Sequence, residues 1–83
     1  MANVENLQLE VQETREKVVE CTKRGKDAYI SQKRGVTVYD TKNKKRIGKD
    51  GKVIVRLGER VDWNHVEYIV SEISDFKVIL KKI

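Results

Sequence analysis

The sequence predicts an α+β fold, in which an N-terminal amphipathic helix is followed by a five-stranded antiparallel meander forming a small SH3-like or OB-like barrel. Before Cys21, apolar residues recur at spacings of three and four, whereas from Val36 onward β-branched and aromatic residues alternate with polar ones. The chain of 83 residues has the length of one small domain. We therefore divide it into a helix with a basic linker, residues 1–35, and a β domain, residues 36–83.

The helix is predicted over residues 4–24, with Asn3 as its N-cap and Gly25 just beyond its end. Its apolar seam follows the spacing of a heptad repeat and is interrupted by Thr14. A domain this small often gains stability from a partner subunit. The seam therefore either packs on the sheet of its own chain or binds a second copy. The candidate oligomerisation residues are Val4, Leu7, Val11, Val18 and Cys21.

Five short runs of β-forming residues predict the strands of the meander. They read VTVYD, KRIGK, KVIVRL, VEYIVSEI and FKVILKKI. Asn43 and the pair Asp50-Gly51 suit tight turns, because these residue types tolerate positive φ. Alternation assigns Val53, Val55 and Leu57 to the core face of the third strand. The opposite face of the sheet carries three isoleucines, which we expect the helix, a second subunit or a bound protein to cover: Ile54, Ile69 and Ile79.

The sequence offers few residues for catalysis or for metal binding. Cys21 is the only cysteine and His65 the only histidine, so neither a catalytic dyad nor a cluster of metal ligands is expected. A lone cysteine also excludes an internal disulfide and fits a reducing compartment. We predict a protein that is not an enzyme and that uses no cofactor, metal or small-molecule substrate.

No segment of the sequence is expected to enter a membrane. The first residues include Glu5 and Glu10, where a signal peptide would carry a basic end and an apolar run. The strictly apolar runs are short, as in Val78-Ile79-Leu80, whereas a membrane span needs about 20 residues. We predict a cytoplasmic protein without a membrane partner.

The positive charge is concentrated in the middle of the sequence. Residues 1–22 carry five acids and two bases, residues 23–56 carry three acids and twelve bases, and residues 57–83 carry five acids and four bases. The net charge of +5 therefore comes from the central block. Six lysines or arginines fall between Lys42 and Lys52, on an arm that Asp50-Gly51 is expected to reverse.

A basic β-hairpin of this kind suits contacts with nucleic-acid phosphates, because each contact releases counterions. Exposed aromatic rings such as Trp63 and His65 would add stacking surfaces. The candidate nucleic-acid-binding residues are Lys33, Arg34, Tyr39, Lys42, Lys44, Lys45, Arg46, Lys49, Lys52 and Arg56. The predicted function is a non-catalytic basic module that binds nucleic acid through this hairpin.

The same residues allow a second interpretation. Lysines commonly protect exposed edge strands from aggregation, and only Arg46 among the six offers the planar group that recognises phosphate in a bidentate manner. The alternative function is a module for protein interaction or assembly, of the kind found in bacterial or phage complexes, which uses the helix and the apolar outer sheet face. Its partner would be an acidic protein or a second copy of the chain. The sequence leaves both functions open.

Overall fold

A computed structural model describes residues 16–32 and 34–83 of the chain. These residues form eight β-strands and contain no helix. The strands are β1 (Glu16–Glu20), β2 (Thr22–Arg24), β3 (Asp27–Ile30), β4 (Val36–Tyr39), β5 (Val53–Val55), β6 (Arg60–Trp63), β7 (Val66–Ile73) and β8 (Lys77–Lys82). They build two antiparallel sheets, a large one in the order β1-β8-β7-β6-β4 and a small one in the order β2-β3-β5. The described fold is therefore all-β.

The predicted α+β class is wrong, because residues 16–24 form strands β1 and β2 instead of the second half of a helix. The β-branched side chains of Val18, Val19 and Thr22 favour extended backbone. β1 pairs along its whole length with β8, which comes from the far end of the chain. Long-range pairing thus outweighs the helical spacing of the apolar residues. The first part of the predicted helix, residues 4–15, lies outside the described residues.

The predicted five-stranded meander is also wrong. Of the KRIGK segment, only Lys45 and Lys49 form isolated bridges, whereas residues 60–63, which lie between two of the predicted strands, form β6. Residues 27–30, assigned to the linker, form β3 at the centre of the small sheet. Runs of three or four residues are too short to display a period, so their strand character depends on partners distant in the sequence.

The chain passes four times between the two sheets, which together give the molecule a small barrel-like form. We call the two shortest of these connections, from β1 to β2 and from β5 to β6, the first and the second crossing. At the first, a single residue separates β1 from β2, and the N–H of Cys21 donates to the carbonyl of Phe76 at 2.9 Å. At the second, Gly58 adopts a φ of 83° between β5 and β6. Its N–H donates to the carbonyl of Val70 at 2.9 Å, and the Val70 N–H donates to Glu59 at 2.8 Å. Each of these two crossings is therefore tied to β7 or to the β7–β8 turn.

The space between the sheets holds one apolar core. The small sheet contributes Ala28, Ile30, Val53 and Val55, and the large sheet contributes Val38, Val61, Trp63, Tyr68, Val70, Val78 and Leu80. The core assignment of Val53 and Val55 is confirmed. Leu57 is exposed instead, because β5 ends at Val55 and Leu57 lies in the following turn.

The turn predicted at Asp50-Gly51 is confirmed. Asp50 has a φ of 55° and Gly51 a φ of 71°, as a two-residue turn between antiparallel partners requires. Lys49 and Lys52 exchange both backbone hydrogen bonds across it, each at 3.0 Å. Asn43 also adopts a positive φ, 64°, in the turn that precedes it. Local turn chemistry therefore determines this part of the chain.

A buried ion pair connects Arg46, in the segment between β4 and β5, to Glu59 at the second crossing between the sheets. Glu59 is only 3% exposed, and its Oε2 accepts a hydrogen bond from Nη2 of Arg46. Its Oε1 accepts the backbone N–H of Arg56 at 2.8 Å. The side chain of Arg46 is 20% exposed. Because a buried carboxylate is tolerated only when it is paired and hydrogen-bonded, Glu59 and Arg46 depend on each other.

We predict that breaking this pair from either side destabilises the domain. Glu59→Gln or Arg46→Gln should each lower the free energy of unfolding by about 3 kcal/mol, the lower end for a buried pair, since Arg46 keeps some contact with water. Urea denaturation followed by the fluorescence of the buried Trp63 measures the effect. The control is Lys45→Gln, an exposed neighbour, which should stay within about 0.5 kcal/mol of wild type. Equal stability of Glu59→Gln and the control would contradict the pairing.

Cys21 provides a second test of the fold. The residue is half-buried at the first crossing, and its thiol donates to the carbonyl of Ser74 at 3.8 Å. Burial raises the pKa of the Cys21 thiol, the charge of Asp75 raises it further, and Lys23 opposes the shift. The reactive thiolate is therefore less populated at neutral pH than in a free cysteine.

We predict that Cys21 reacts with a thiol reagent more slowly in the native protein than in the urea-denatured chain. The rate should begin to rise at a higher pH in the native state, because the pKa is raised. Asp75→Asn should increase the native rate by removing one of the charges that oppose the thiolate. The measurement is the pH dependence of the labelling rate. Native and denatured rates that coincide at every pH would show the thiol to be free of the fold.

Candidate polyanion-binding surface

The basic residues between Lys42 and Lys52 lie on two successive tight turns rather than on one long hairpin. The first turn follows β4 and is closed by an isolated bridge between Tyr39 and Lys45. The second is the Asp50-Gly51 turn, closed by the bridge between Lys49 and Lys52. Lysine side chains extend from both turns, and all but one of them are exposed, the exception being the half-buried Lys52. We call this pair of turns, residues 40–52, the basic double turn.

Asp40 organises the first of these turns. Its Oδ1 accepts the backbone N–H groups of Lys42 and Lys44, each at 2.9 Å. These bonds, that of Lys44 first, hold the pKa of Asp40 below its ordinary value, and the charges of Arg46 and Lys44 act in the same direction. The carboxylate therefore serves the backbone of the turn, and the ammonium groups of Lys42 and Lys44 remain directed to solvent.

Arg60, which was not predicted as a binding residue, lies against the ring of Tyr39. The guanidinium of Arg60 lies 4.5 Å from the centroid of the Tyr39 ring, and its Nη2 donates to Oδ1 of Asn43 at 2.6 Å. Its Nη1 is 3.9 Å from Glu67, beyond hydrogen-bonding distance. Arg60 thus adds a positive group beside the first turn. Arg60 was not among the predicted residues because its block of the chain, residues 57–83, carries a net negative charge.

The outer face of the small sheet forms the second part of the surface. Because Ala28, Ile30, Val53 and Val55 point into the core, the residues that alternate with them point outward. The register places Tyr29 opposite both Thr22 and Ile54, and Arg24 opposite Asp27. We call this surface the small-sheet face; its residues are Thr22, Arg24, Asp27, Tyr29, Lys52, Ile54 and Arg56.

Two arginines on the small-sheet face are held by their neighbours. The guanidinium of Arg24 lies 5.6 Å from the ring centroid of Tyr29. Nε of Arg56 donates to Oδ1 of Asp27 at 2.5 Å, and this hydrogen bond, followed by the charge of Asp27, raises the pKa of Arg56. Arg56 therefore stays charged and oriented, with its side chain half exposed.

Lys52 joins the basic double turn to the small-sheet face. On one side it lines a cleft of about 470 Å³ together with Lys45 and Arg46. On the other it lines a small cleft of about 50 Å³ together with Arg24 and Tyr29. The two clefts share Lys52, so the cations of the turns and of the sheet belong to one continuous surface.

The other predicted residues are distributed as follows. Arg34 is exposed in the turn before β4, and Lys33 lies outside the described residues. Arg46 is engaged by the buried Glu59 and is not free to contact a ligand. Of the expected stacking residues, Trp63 is buried in the core, and His65 is exposed in a two-residue turn between β6 and β7.

Arg24 and Tyr29 were absent from the predicted site. They were assigned to the helix and to the linker, and only the pairing of β2 with β3 brings them beside Lys52 and Arg56. A usable signal is present in the DAYI run, where Ala28 and Ile30 alternate with Asp27 and Tyr29.

The large sheet has an apolar strip on its outer face. Val18 of β1 lies opposite Ile79 of β8, and Ile69 of β7 lies diagonally next to Ile79. Val18 is 56% exposed and Ile69 41% exposed. Of the candidate oligomerisation residues, Val18 is therefore accessible and Cys21 is half-buried, whereas Val4, Leu7 and Val11 lie outside the described residues. Ile54, also expected on an outer face, lies on the small sheet beside Tyr29.

Comparison with protein-family models, with curated proteins and with solved structures finds no match to this chain. Within residues 16–32 and 34–83, no helix has the length and apolar character needed to cross a membrane.

Proposed function

We propose that this protein is a non-catalytic binding module for nucleic acid, which it holds through the phosphates. The observation that carries the proposal is the continuity of the basic double turn with the small-sheet face through Lys52. Five lysines of the double turn make no salt bridge within the described part of the chain: Lys42, Lys44, Lys45, Lys49 and Lys52. Such side chains are available to replace the counterions of a phosphate backbone.

The chemistry of the surface suits recognition of charge more than recognition of sequence. Lysine ammonium groups are flexible point charges, whereas base reading relies on planar groups in fixed positions. The arginine within the double turn, Arg46, is turned inward to Glu59. The lysines of the double turn should therefore bind different sequences about equally. We place this activity in the cytoplasm, as the lone cysteine suggests.

Replacing Lys44, Lys45 and Lys52 with glutamine should weaken binding of an oligonucleotide and leave the fold intact. Because about three phosphate contacts are lost, the slope of log affinity against log salt should become shallower by roughly 2 to 3. Fluorescence anisotropy of a labelled oligonucleotide at a series of salt concentrations measures the slope. Arg46 is left unchanged, because replacing it would also break the ion pair with Glu59 and lower the stability of the fold.

The matched control removes the same charge elsewhere: Lys77, Lys81 and Lys82 of β8 are replaced with glutamine. This triple variant should keep most of the wild-type slope, because β8 lies in the large sheet, outside the continuous basic surface. Equal losses in the two variants would show that net charge alone governs binding. Wild-type affinity weaker than about 10⁻⁴ M at physiological salt would refute the proposed function, since ordinary non-specific binding is at least this tight.

A second candidate function, assembly with another copy of the chain, is favoured by one observation. Val18, Ile79 and Ile69 form an apolar strip on the outer face of the large sheet, and nothing among the described residues covers Val18 or Ile69. The strip begins at Val18 on β1, an edge strand of that sheet. Contacts through this strip would remove apolar surface from water. An acidic protein that approaches the basic surface remains the other partner expected in this class.

Assembly predicts a particle heavier than 9.7 kDa, the mass of one chain, in light scattering at micromolar concentration. Replacing Val18 and Ile69 with lysine should reduce the mass to that of one chain, because two exposed apolar contacts are lost from the strip. Lys77→Gln, a polar change on the neighbouring strand, serves as control and should leave the mass unchanged. A wild-type protein of single-chain mass across the concentration range would eliminate this candidate.

A further inference from the structure

We propose that the small-sheet face binds single-stranded nucleic acid and stacks one base on Tyr29. This inference rests on the proposed function and specifies its substrate class. The lysines of the double turn can contact the phosphates of a duplex and of a single strand alike. The small-sheet face adds an aromatic ring among cations, and only a strand with unpaired bases presents a flat partner to that ring.

The layout of the face separates its apolar centre from its charges. Tyr29 lies in a cross-strand row between Thr22 and Ile54, none of which is charged. Arg24 and Arg56 lie in the neighbouring row on either side of Asp27, and Lys52 lies toward the opposite end of β5. Lys52 and Arg56 are four positions apart, which corresponds to about 13 Å along a strand. A base on Tyr29 would therefore have cations on both sides along the path of its backbone.

The single acid of the face is already compensated. Asp27 accepts the hydrogen bond from Arg56 at 2.5 Å, so that its charge is balanced within the face. Asp50 of the double turn also lines the small cleft beside Tyr29. Arg24 and Lys52 outweigh this one carboxylate, and they stand one on each side of Tyr29. Phosphates that flank a stacked base are attracted to these two side chains.

Arg24 occupies the ring of Tyr29 when no ligand is bound. Its guanidinium lies 5.6 Å from the ring centroid, a spacing that leaves no room for a base between the two groups. A cation–π contact is weak at an exposed site, and the released guanidinium gains a phosphate as its new partner. A base therefore replaces Arg24 on the ring, and Arg24 moves to the backbone of the same strand.

A duplex cannot use this arrangement, because its bases are stacked and paired inside the helix. It would contact the lysines of the double turn through its phosphates and would leave Tyr29 in contact with Arg24, without a stacked base. The consequence is a preference for single strands that depends on one aromatic side chain.

The test compares a labelled single-stranded oligonucleotide of mixed sequence with the duplex of the same sequence. Tyr29→Leu removes the aromatic face and keeps apolar volume on the strand. We expect the single-strand affinity to fall by about 5- to 150-fold, the range for one stacked base, and the duplex affinity to change by less than about twofold. Tyr29→Phe should restore the single-strand affinity. Phe76→Leu, a change of an aromatic that is 75% exposed in the β7–β8 turn, is the matched control and should change neither affinity.

Several results would overturn the inference. Tyr29→Leu affecting single strand and duplex equally, or affecting neither, would show that Tyr29 does not stack with a base. Polyglutamate competing as well as the single strand of equal charge would show that the face responds to charge alone and suits an acidic protein. Failure of this inference is distinguishable from failure of the proposed function, because the salt slope carried by the lysines of the double turn persists in the first case and is absent in the second.

Discussion

The hydrogen bonds accepted by the buried carboxylate of Glu59 are the interaction on which the rest of the structure depends. The carboxylate lies where the chain leaves the small sheet for the large one, and it accepts hydrogen bonds from Arg46 and from the backbone of Arg56. The backbone carbonyl of Glu59 accepts the N–H of Val70 in β7. One buried residue thus fixes the second crossing between the sheets and anchors the basic double turn to it. Because an unpaired buried charge is strongly unfavourable, the two features form together.

This ion pair also decides which cations face the solvent. Arg46 is the arginine of the double turn, and the pair draws it inward, so that the exposed cations of the turns are lysines. The arginines Arg24 and Arg56 instead lie on a sheet, where Tyr29 and Asp27 orient them. Flexible charge and oriented planar groups therefore occupy separate parts of one surface. That separation is why we propose phosphates as the partners of the turns and an unpaired base as the partner of the small-sheet face.

The features that the sequence predicted correctly depend on neighbouring residues. The Asp50-Gly51 turn and four of the five strands predicted after Val36 follow from side chains within a few positions of each other. The incorrect helix shows the limit, because Val18 and Cys21 have helical spacing and are also compatible with a bent strand whose partner, β8, is remote. The small-sheet face was missed for the same reason: Arg24 and Tyr29 meet only through the register of β2 with β3.

The structural role of the basic segment and its proposed role in binding use different atoms. The N–H of Arg46 donates to the carbonyl of Val38 at 2.8 Å, and Lys45 bridges to Tyr39, so that the backbone of this segment covers part of the free edge of β4. Edge protection, the alternative explanation for the lysines, is thus supplied there by paired backbone. The exposed ammonium groups beyond that edge, such as that of Lys42, have no part in the pairing. Their number and continuity support binding of a polyanion as the reason for their presence.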